Sequence, residues 1–188
     1  MKKNIFPAVR LTLVCLVFFS GIYTLFIWGI AQLAPNHGKG EVVMFKGKKF
    51  YNLIAQRFSE DKYFSSRPSA TAYHADGSAG SNKGPSNPEY LAEVQSRIDS
   101  FLSHNPGVEK SNIPSDLLTA SASGLDPDIS IQAAKVQVKR IAKSRNISES
   151  EILNLIDQQT EKPLFGLFGP EKINVLQLNI SLDKLNAQ

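Results

Sequence analysis

The hydrophobic positions of the chain begin with one long uninterrupted run near the N-terminus. This run covers residues 11–33, and a single charge, Arg10, lies just before it. A membrane-crossing helix needs about 20 apolar residues, whereas the apolar core of a secretory signal has about 7–15. The run therefore predicts an uncleaved transmembrane helix. Cleavage stays an alternative, because Gly29 and Ala31 place small residues at a suitable spacing.

Charges at the two ends of the run predict its orientation. Lys2, Lys3 and Arg10 fall within residues 1–10 and favour a short cytoplasmic N-terminus. Four lysines between residues 39 and 49 lie on the other flank and weaken this bias. Because the N-terminal tail is short, we expect the large C-terminal part to lie outside the cytoplasm.

Small residues mark one side of the predicted membrane helix. Ser20, Gly21, Thr24 and Gly29 fall at spacings that bring them to roughly the same side. Small side chains let helix backbones approach closely in lipid, which predicts packing against partner helices. The alternative is that Gly and Ser are simply common in membrane helices.

Shorter periodic segments follow in residues 34–188 and predict one small α+β domain. Val42–Phe45 has the character of a short strand, and apolar positions at helical spacing predict a short helix over residues 51–58. Asn87 followed by Pro88 predicts the start of a longer helix, since Asn is a good N-cap and Pro suits the first turn.

Three further segments complete the predicted domain. Ser130 is expected to cap a helix, and Ser148 with Glu151 forms a capping box that opens another. A loop rich in Gly and Pro over residues 163–170 then leads to residues 172–182. Leu176, Leu178, Ile180 and Leu182 alternate with other residues in this last segment, which predicts a closing strand.

Two polar stretches interrupt these elements. Residues 63–87 and 113–131 are rich in Ser, Gly, Asn, Pro and Ala, with a short strand predicted over residues 117–122 of the second. Loops longer than about 12–15 residues are uncommon in compact domains and are usually functional or disordered. Arg67 and Tyr73 favour an ordered functional loop, and a mobile loop is the alternative.

Composition, charge and absent motifs narrow the function classes. The net charge of +4 is spread along the chain, which predicts no nucleic-acid partner. Cys15 is the single cysteine, so an intramolecular disulfide or a thiolate metal site is excluded. The sequence has no phosphate-binding loop, no nucleophile elbow and no His-Glu-x-x-His pair. We therefore predict no catalytic residue and no metal site of its own.

Two alternatives from other classes stay open. Ser59 to Lys62 and Ser181 to Lys184 match Ser-x-x-Lys, the spacing of a membrane-anchored hydrolase that uses a serine beside a desolvated lysine. Both segments are polar, so each lysine is expected to stay solvated. The second alternative is a membrane-anchored binding module that belongs to no fixed complex.

Several segments together resemble a known family, the C subunit of the bacterial Kdp-type potassium-transporting ATPase. Their order, their spacing and the single N-terminal anchor agree, and the resemblance covers most of the chain. The segments are FSSRPSA at 64–70, GSNKGPSNP at 80–88, LTASASGLDPDI at 118–129, residues 134–140, and INVLQLNISL at 173–182.

The resemblance implies an accessory role without chemistry of its own. In that family a channel-like A subunit conducts potassium and a P-type B subunit hydrolyses ATP, so the complex, not this chain, handles both. The C subunit is implied to support assembly and stability, and to act as a catalytic chaperone that raises the ATP affinity of the B subunit. The implied location is the bacterial inner membrane, in contact with lipid. A domain outside the cytoplasm would influence ATP only allosterically, through the membrane helices.

The polar stretches hold the candidate contact residues for such an extracytoplasmic domain. We expect them to touch the channel-like subunit or to shape ion access. The alternative is a role in loop folding, in which Asn87 caps a helix and Gly124 relieves a turn. A faint nucleotide-sensing signature at Ser121–Gly124 is better explained by small residues in a turn. The candidates are Arg67, Asn82, Asn87, Ser121, Ser123, Gly124 and Asp126.

Overall fold

The structure is a computed structural model that describes residues 4–185. Lys2 and Lys3, which contribute to the predicted orientation, lie outside these described residues. The chain divides into two compact units with a boundary between Val42 and Val43. We describe the N-terminal unit and the C-terminal domain separately.

The N-terminal unit is built on one long apolar helix. This helix, α1, runs over Ile5–Ala31 and is long and apolar enough to cross a membrane. Its bounds lie a few residues before those of the predicted span. It contains a π-helical turn at Val17–Tyr23, next to which the Thr24 hydroxyl donates to the Phe19 carbonyl oxygen at 2.9 Å. Such turns alter the direction in which side chains leave a helix.

A short hairpin opens the C-terminal domain. Strand β1 covers Val42–Phe45, as predicted, and pairs with β2 at Lys48–Tyr51. Lys46 and Gly47 form the connection with φ angles of 49° and 75°. Two positive φ angles are typical of the tight hairpin turn whose twist matches that of the strands.

Helices make up most of the remaining domain, and capping side chains set where they begin. The Asn87 side chain accepts from the Tyr90 amide, and the Ser130 side chain accepts from the Ala133 amide. The predicted capping box at Ser148 is also confirmed. The helices are α2 (Pro88–His104), α3 (Ile131–Lys135), α4 (Val138–Arg145), α5 (Glu149–Gln159) and α6 (Val175–Leu185), and the second pair of strands is β3 (Asp128–Ile129) and β4 (Ile173–Asn174).

The hydrophobic core forms where α3, α4, α5 and α6 meet, and loop residues join it. Phe64 is fully buried although it lies outside any helix or strand, so the first polar stretch starts inside the core. Burial of one such aromatic side chain is worth roughly 1.5–3 kcal/mol. The most deeply buried helical members are Ala133, Ala134, Ile141, Ile152, Ile156, Leu178 and Leu182.

The helix predicted over residues 51–58 does not form. Strand β2 ends at Tyr51 and the backbone after it is irregular. Besides a local turn bond from the Ile54 amide to the Tyr51 carbonyl oxygen at 3.2 Å, its polar groups bond to distant partners. The Ala55 amide donates to the Leu125 carbonyl oxygen at 2.9 Å, and the Gln56 carbonyl oxygen accepts from the Ser66 hydroxyl at 2.7 Å. These long-range bonds satisfy the backbone without a helical turn.

The strand predicted over residues 172–182 is also wrong beyond its first residues. Ile173 and Asn174 pair with β3, and the chain then turns into helix α6 at Val175. The Asn174 side-chain oxygen accepts from the Gln177 amide at 3.0 Å, in the manner of an N-cap. Val175, Leu178 and Leu182 recur at helical spacing and join the core, but most other positions of α6 are also buried and add apolar residues that fit the alternation of a strand.

Candidate functional site

The two polar stretches lie against each other and form one ordered structure. We call residues 64–81 and 118–128 the paired loops. Backbone bonds join them at 3.0 Å, from the Ser121 amide to the Pro68 carbonyl oxygen and from the Ala79 amide to the Ser123 carbonyl oxygen. These bonds also explain why the strand predicted over residues 117–122 is absent. That segment pairs with a loop, after a short 3-10 turn at Ser115–Leu117.

Gly124 marks the closest approach between the paired loops. Its φ is +70°, a conformation that residues with a Cβ rarely adopt. A Cβ atom there would lie 2.7 Å from Thr71 Oγ1 and 2.8 Å from the Ala79 carbonyl oxygen. The Gly124 carbonyl oxygen in turn accepts from the Ser69 hydroxyl at 2.6 Å. The absence of a side chain at Gly124 is therefore a requirement of the loop pairing.

An ion pair joins the paired loops at their polar surface. Arg67 Nη1 lies 2.8 Å from Asp126 Oδ2, and the two side chains are 26% and 31% exposed. Tyr73 donates its hydroxyl to the Arg67 carbonyl oxygen at 2.8 Å, and burial raises the pKa of this phenol. The ion pair is therefore only partly open to solvent, at a place where a partner could meet it.

The structure thus brings together five of the seven predicted contact residues. The other two lie nearby in the chain and have other roles. Ser121 is buried, and the Ser123 hydroxyl accepts from the Leu125 amide at 3.0 Å. Asn82 has a left-handed backbone with φ 54°, and Asn87 is occupied as the N-cap of α2. The five residues that meet are Arg67, Ser121, Ser123, Gly124 and Asp126.

The predicted helix-packing residues lie in and just after the π-helical turn of α1. Ser20 and Gly21 belong to this turn, and Thr24 begins the helix after it. No atom lies within 4 Å of the position that a Cβ would take at Gly21 or Gly29. A second helix backbone could therefore approach α1 there, which keeps the packing prediction open.

Buried polar side chains that the sequence did not reveal hold the start of the first paired loop. Asn179 on α6 accepts from the Phe64 amide at 2.8 Å and donates to the Phe64 carbonyl oxygen at 3.0 Å. Gln137 accepts from the Ser65 amide at 2.8 Å. Both polar side chains are almost fully buried. Asn179 is a polar residue inside an otherwise apolar segment, whereas Gln137 lies between Val136 and Val138 in a segment that also carries charges.

A second missed cluster centres on the carboxylate of Asp183 in α6. It accepts hydrogen bonds from Arg145 at 2.7 Å, Lys46 at 2.8 Å and Tyr63 at 3.1 Å. The Arg145 guanidinium also stacks 4.9 Å from the centre of the Tyr63 ring. Burial acts to raise the pKa of Asp183, but the three hydrogen bonds outweigh it and the pKa lies below its ordinary value.

Comparison with known proteins identifies the family. The family model described as "K+-transporting ATPase, c chain" matches residues 5–184. The chain belongs to the KdpC family. Similar proteins named potassium-transporting ATPase KdpC subunit occur in Bacteroides fragilis, with 51% identity over 97% of this chain and 98% of that protein. They also occur in Flavobacterium johnsoniae, with 52% identity over 97% and 99%, and in Caldanaerobacter subterraneus subsp. tengcongensis, with 42% over 97% and 95%.

For this KdpC chain, the geometry disfavours the serine hydrolase considered from the sequence. Lys62 Nζ lies 2.7 Å from Glu60 Oε2. This hydrogen bond and the charge of Glu60 raise the pKa of the lysine, whereas a general base needs a lowered one. Lys184 is exposed to solvent. Within residues 4–185, no three His, Cys, Asp or Glu side chains are grouped to hold a metal ion.

Proposed function

We propose that this KdpC chain is a non-catalytic assembly subunit whose paired loops contact the channel-like A subunit outside the cytoplasm. The observation that carries the proposal is the ordering of two polar loops into one surface by bonds that link Ser121 to Pro68 and Arg67 to Asp126. An ordered polar surface of this kind suits recognition of a protein, and no three His, Cys, Asp or Glu side chains among the described residues 4–185 are grouped to hold a metal ion.

The proposal extends to the partners and to ATP. The channel-like A subunit and the P-type B subunit of the same complex would bind potassium and ATP, and this chain would hold neither by a motif of its own. Helix α1 offers Gly21 and Gly29 to partner helices in the bilayer of the inner membrane. Any rise in the ATP affinity of the B subunit would then pass through those helices as a coupling free energy between separate sites.

The proposed topology predicts the outcome of a reporter fusion at the C-terminus. Alkaline phosphatase, which needs an oxidising compartment, is expected to be active there, and green fluorescent protein exported in unfolded form is expected to be dark. The same two fusions after residue 10 serve as the control and should behave in the opposite way. A fluorescent, phosphatase-negative C-terminus would place the domain in the cytoplasm and end the proposal for this face.

The proposed contact predicts a loss of partner subunits when the surface ion pair is altered. Arg67→Asp alone is expected to cut recovery of the A subunit in a mild-detergent pull-down from potassium-starved cells by about tenfold. That corresponds to about 1.4 kcal/mol of lost contact free energy. Since exposed ion pairs contribute only about 0–1 kcal/mol to folding, the domain itself should stay folded.

A charge exchange separates contact from folding. Arg67→Asp combined with Asp126→Arg allows the internal ion pair to form again with its polarity reversed. If the paired loops contact a partner, the exchanged protein should fold normally and still fail to recover the A subunit. Full recovery with the exchanged pair would show that the pair serves folding alone, and Lys110→Asp on the exposed surface is the matched control.

A further inference from the structure

One exposed apolar loop of the C-terminal domain takes no part in the core or in the paired loops. It comprises residues 163–170, and we call it the apolar tip. Its four large side chains point into solvent and together form the most exposed apolar group of the domain. The exposed fractions are 64% for Leu164, 84% for Phe165, 80% for Leu167 and 65% for Phe168.

The backbone of the apolar tip is already satisfied by its own hydrogen bonds. The Gly166 amide donates to the Pro163 carbonyl oxygen at 2.8 Å, and the Leu167 and Phe168 amides donate to that of Leu164 at 3.1 and 3.0 Å. The Leu164 amide returns a bond to the Phe168 carbonyl oxygen at 3.0 Å. Paired amides greatly lower the cost of moving a loop out of water.

The apolar tip also holds an unfavourable backbone conformation at its most exposed aromatic residue. Phe165 has a φ of 55°, which a bulky side chain adopts only under strain, and glycine would occupy the position without it. Strain of this kind is typical of positions at which the side chain serves binding. Phe165 lies outside the core, so its side chain can be buried only against a surface outside the domain.

The apolar tip has charged residues on both sides of it in the sequence. Residues 163–170 carry no charge, whereas Glu161, Lys162, Glu171 and Lys172 flank it on both sides. Lys172 Nζ is held by Asp128 at 2.6 Å and by Glu161 at 3.4 Å, which fixes the base of the loop. An apolar end above a charged base is the arrangement that suits the boundary between hydrocarbon and headgroups.

We propose that the apolar tip inserts into the surface of the lipid bilayer that α1 crosses. The proposal rests on the membrane anchor and not on the proposed complex. Residues 32–41 are the whole connection between α1 and the domain, so the domain is tethered to the bilayer and a weak contact is enough. Within the tip the side chains offer no charge, donor or acceptor, and lipid requires none, because apolar burial is non-directional.

A single tryptophan at the apolar tip tests the proposal. The chain has one tryptophan, so Trp28→Phe with Phe168→Trp leaves the only reporter in the loop. The full-length chain is reconstituted into phosphatidylcholine vesicles with and without brominated acyl chains. We expect bromine to quench about half of the emission, since interfacial apolar groups sit about 5–10 Å into the headgroup boundary. Trp28→Phe with Leu91→Trp, on the exposed face of α2, is the control and should be quenched little.

Variants of the apolar tip distinguish insertion into lipid from nonspecific quenching and from binding to a protein partner. Phe165→Gly removes the aromatic ring and relieves the positive φ, so quenching at position 168 should fall while the melting temperature does not. Equal quenching at positions 91 and 168 would overturn the proposal. A second outcome would also overturn the proposal. In it, bromine does not quench the tryptophan at position 168, but its emission shifts to shorter wavelength when the A and B subunits are added. The tip would then dock on protein.

Discussion

Gly124→Ala is expected to lower the free energy of unfolding of the C-terminal domain by about 3 kcal/mol, since it combines backbone strain with overlap. The φ of +70° disfavours any residue with a Cβ, and the added atom would lie 2.7 Å from Thr71 Oγ1. The Ala79 carbonyl oxygen on its other side belongs to backbone that is bonded to Ser123, so neither neighbour yields without separating the paired loops. Denaturant unfolding of the purified chain, followed by near-ultraviolet circular dichroism, measures the loss.

Gly84→Ala provides the matched control for this substitution. Gly84 lies in the first polar stretch, whereas Gly124 lies in the second. Gly84 has no positive φ and no atom within 4 Å of the Cβ position. The free energy of unfolding of the Gly84→Ala variant should differ from that of the wild type by no more than about 0.5 kcal/mol. The explanation based on loop pairing fails if both alanine variants unfold at the same denaturant concentration as the wild-type chain.

Gly124→Ala also connects folding of the paired loops to assembly. Because Gly124→Ala pushes the two loops apart, the pull-down of the A subunit should weaken even at a temperature where the rest of the domain is folded. Gly84→Ala should recover the A subunit normally. A Gly124→Ala chain that assembles fully would leave the paired loops as a folding element without a role in contact.

Local chemistry explains which elements could be predicted from the sequence. Asn87, Ser130 and Ser148 each cap a helix through a bond to the backbone three residues away, and such short-range bonds depend on nearby residues alone. The long apolar helix α1 is likewise recognisable, because an apolar run of this length is typical of a helix that can cross a bilayer. For these elements, the sequence contains the whole cause.

Long-range bonds explain the elements that could not be predicted. Residues 51–58 form no helix because Ala55 bonds to Leu125, far along the chain. Helix α6 is mistaken for a strand because burial on most sides adds apolar residues that alternate as in a strand and obscure the helical spacing of the core residues. The cap at Asn174 favours the helix. The paired loops were recognisable as unusual by composition, but their pairing depends on contacts that no local pattern contains.

The cluster around Asp183 leads to the second large expected effect. Asp183→Asn should lower the free energy of unfolding by about 3–5 kcal/mol, because it leaves a buried guanidinium without its counter-charge. The side chains of Arg145 and Asp183 are only 5% and 9% exposed. Lys46 is largely exposed and contributes less. Thermal and denaturant unfolding of the full-length chain measure the change.

Two further variants assign this loss to the buried pair. Asp157→Asn removes an exposed carboxylate of α5 and should change stability by no more than about 0.5 kcal/mol. Arg145→Met combined with Asp183→Leu removes both charges, and should be more stable than Asp183→Asn alone, because no unpaired charge remains buried. If the double variant is the less stable of the two, the cluster acts through packing and not through charge.

The pH dependence of the Asp183→Asn effect follows from the sign of the pKa shift. Since the pKa of Asp183 is lowered on folding, its stabilising contribution is fully present above the ordinary aspartate pKa of about 3.9. It is lost only as the pH falls through the lower pKa of the folded state. The stability difference between wild type and Asp183→Asn should therefore stay constant from neutral pH down to about pH 4, then shrink. A difference that already disappears near pH 6 would mean that another group, and not this carboxylate, controls the cluster that joins Lys46 of the hairpin to α4 and α6.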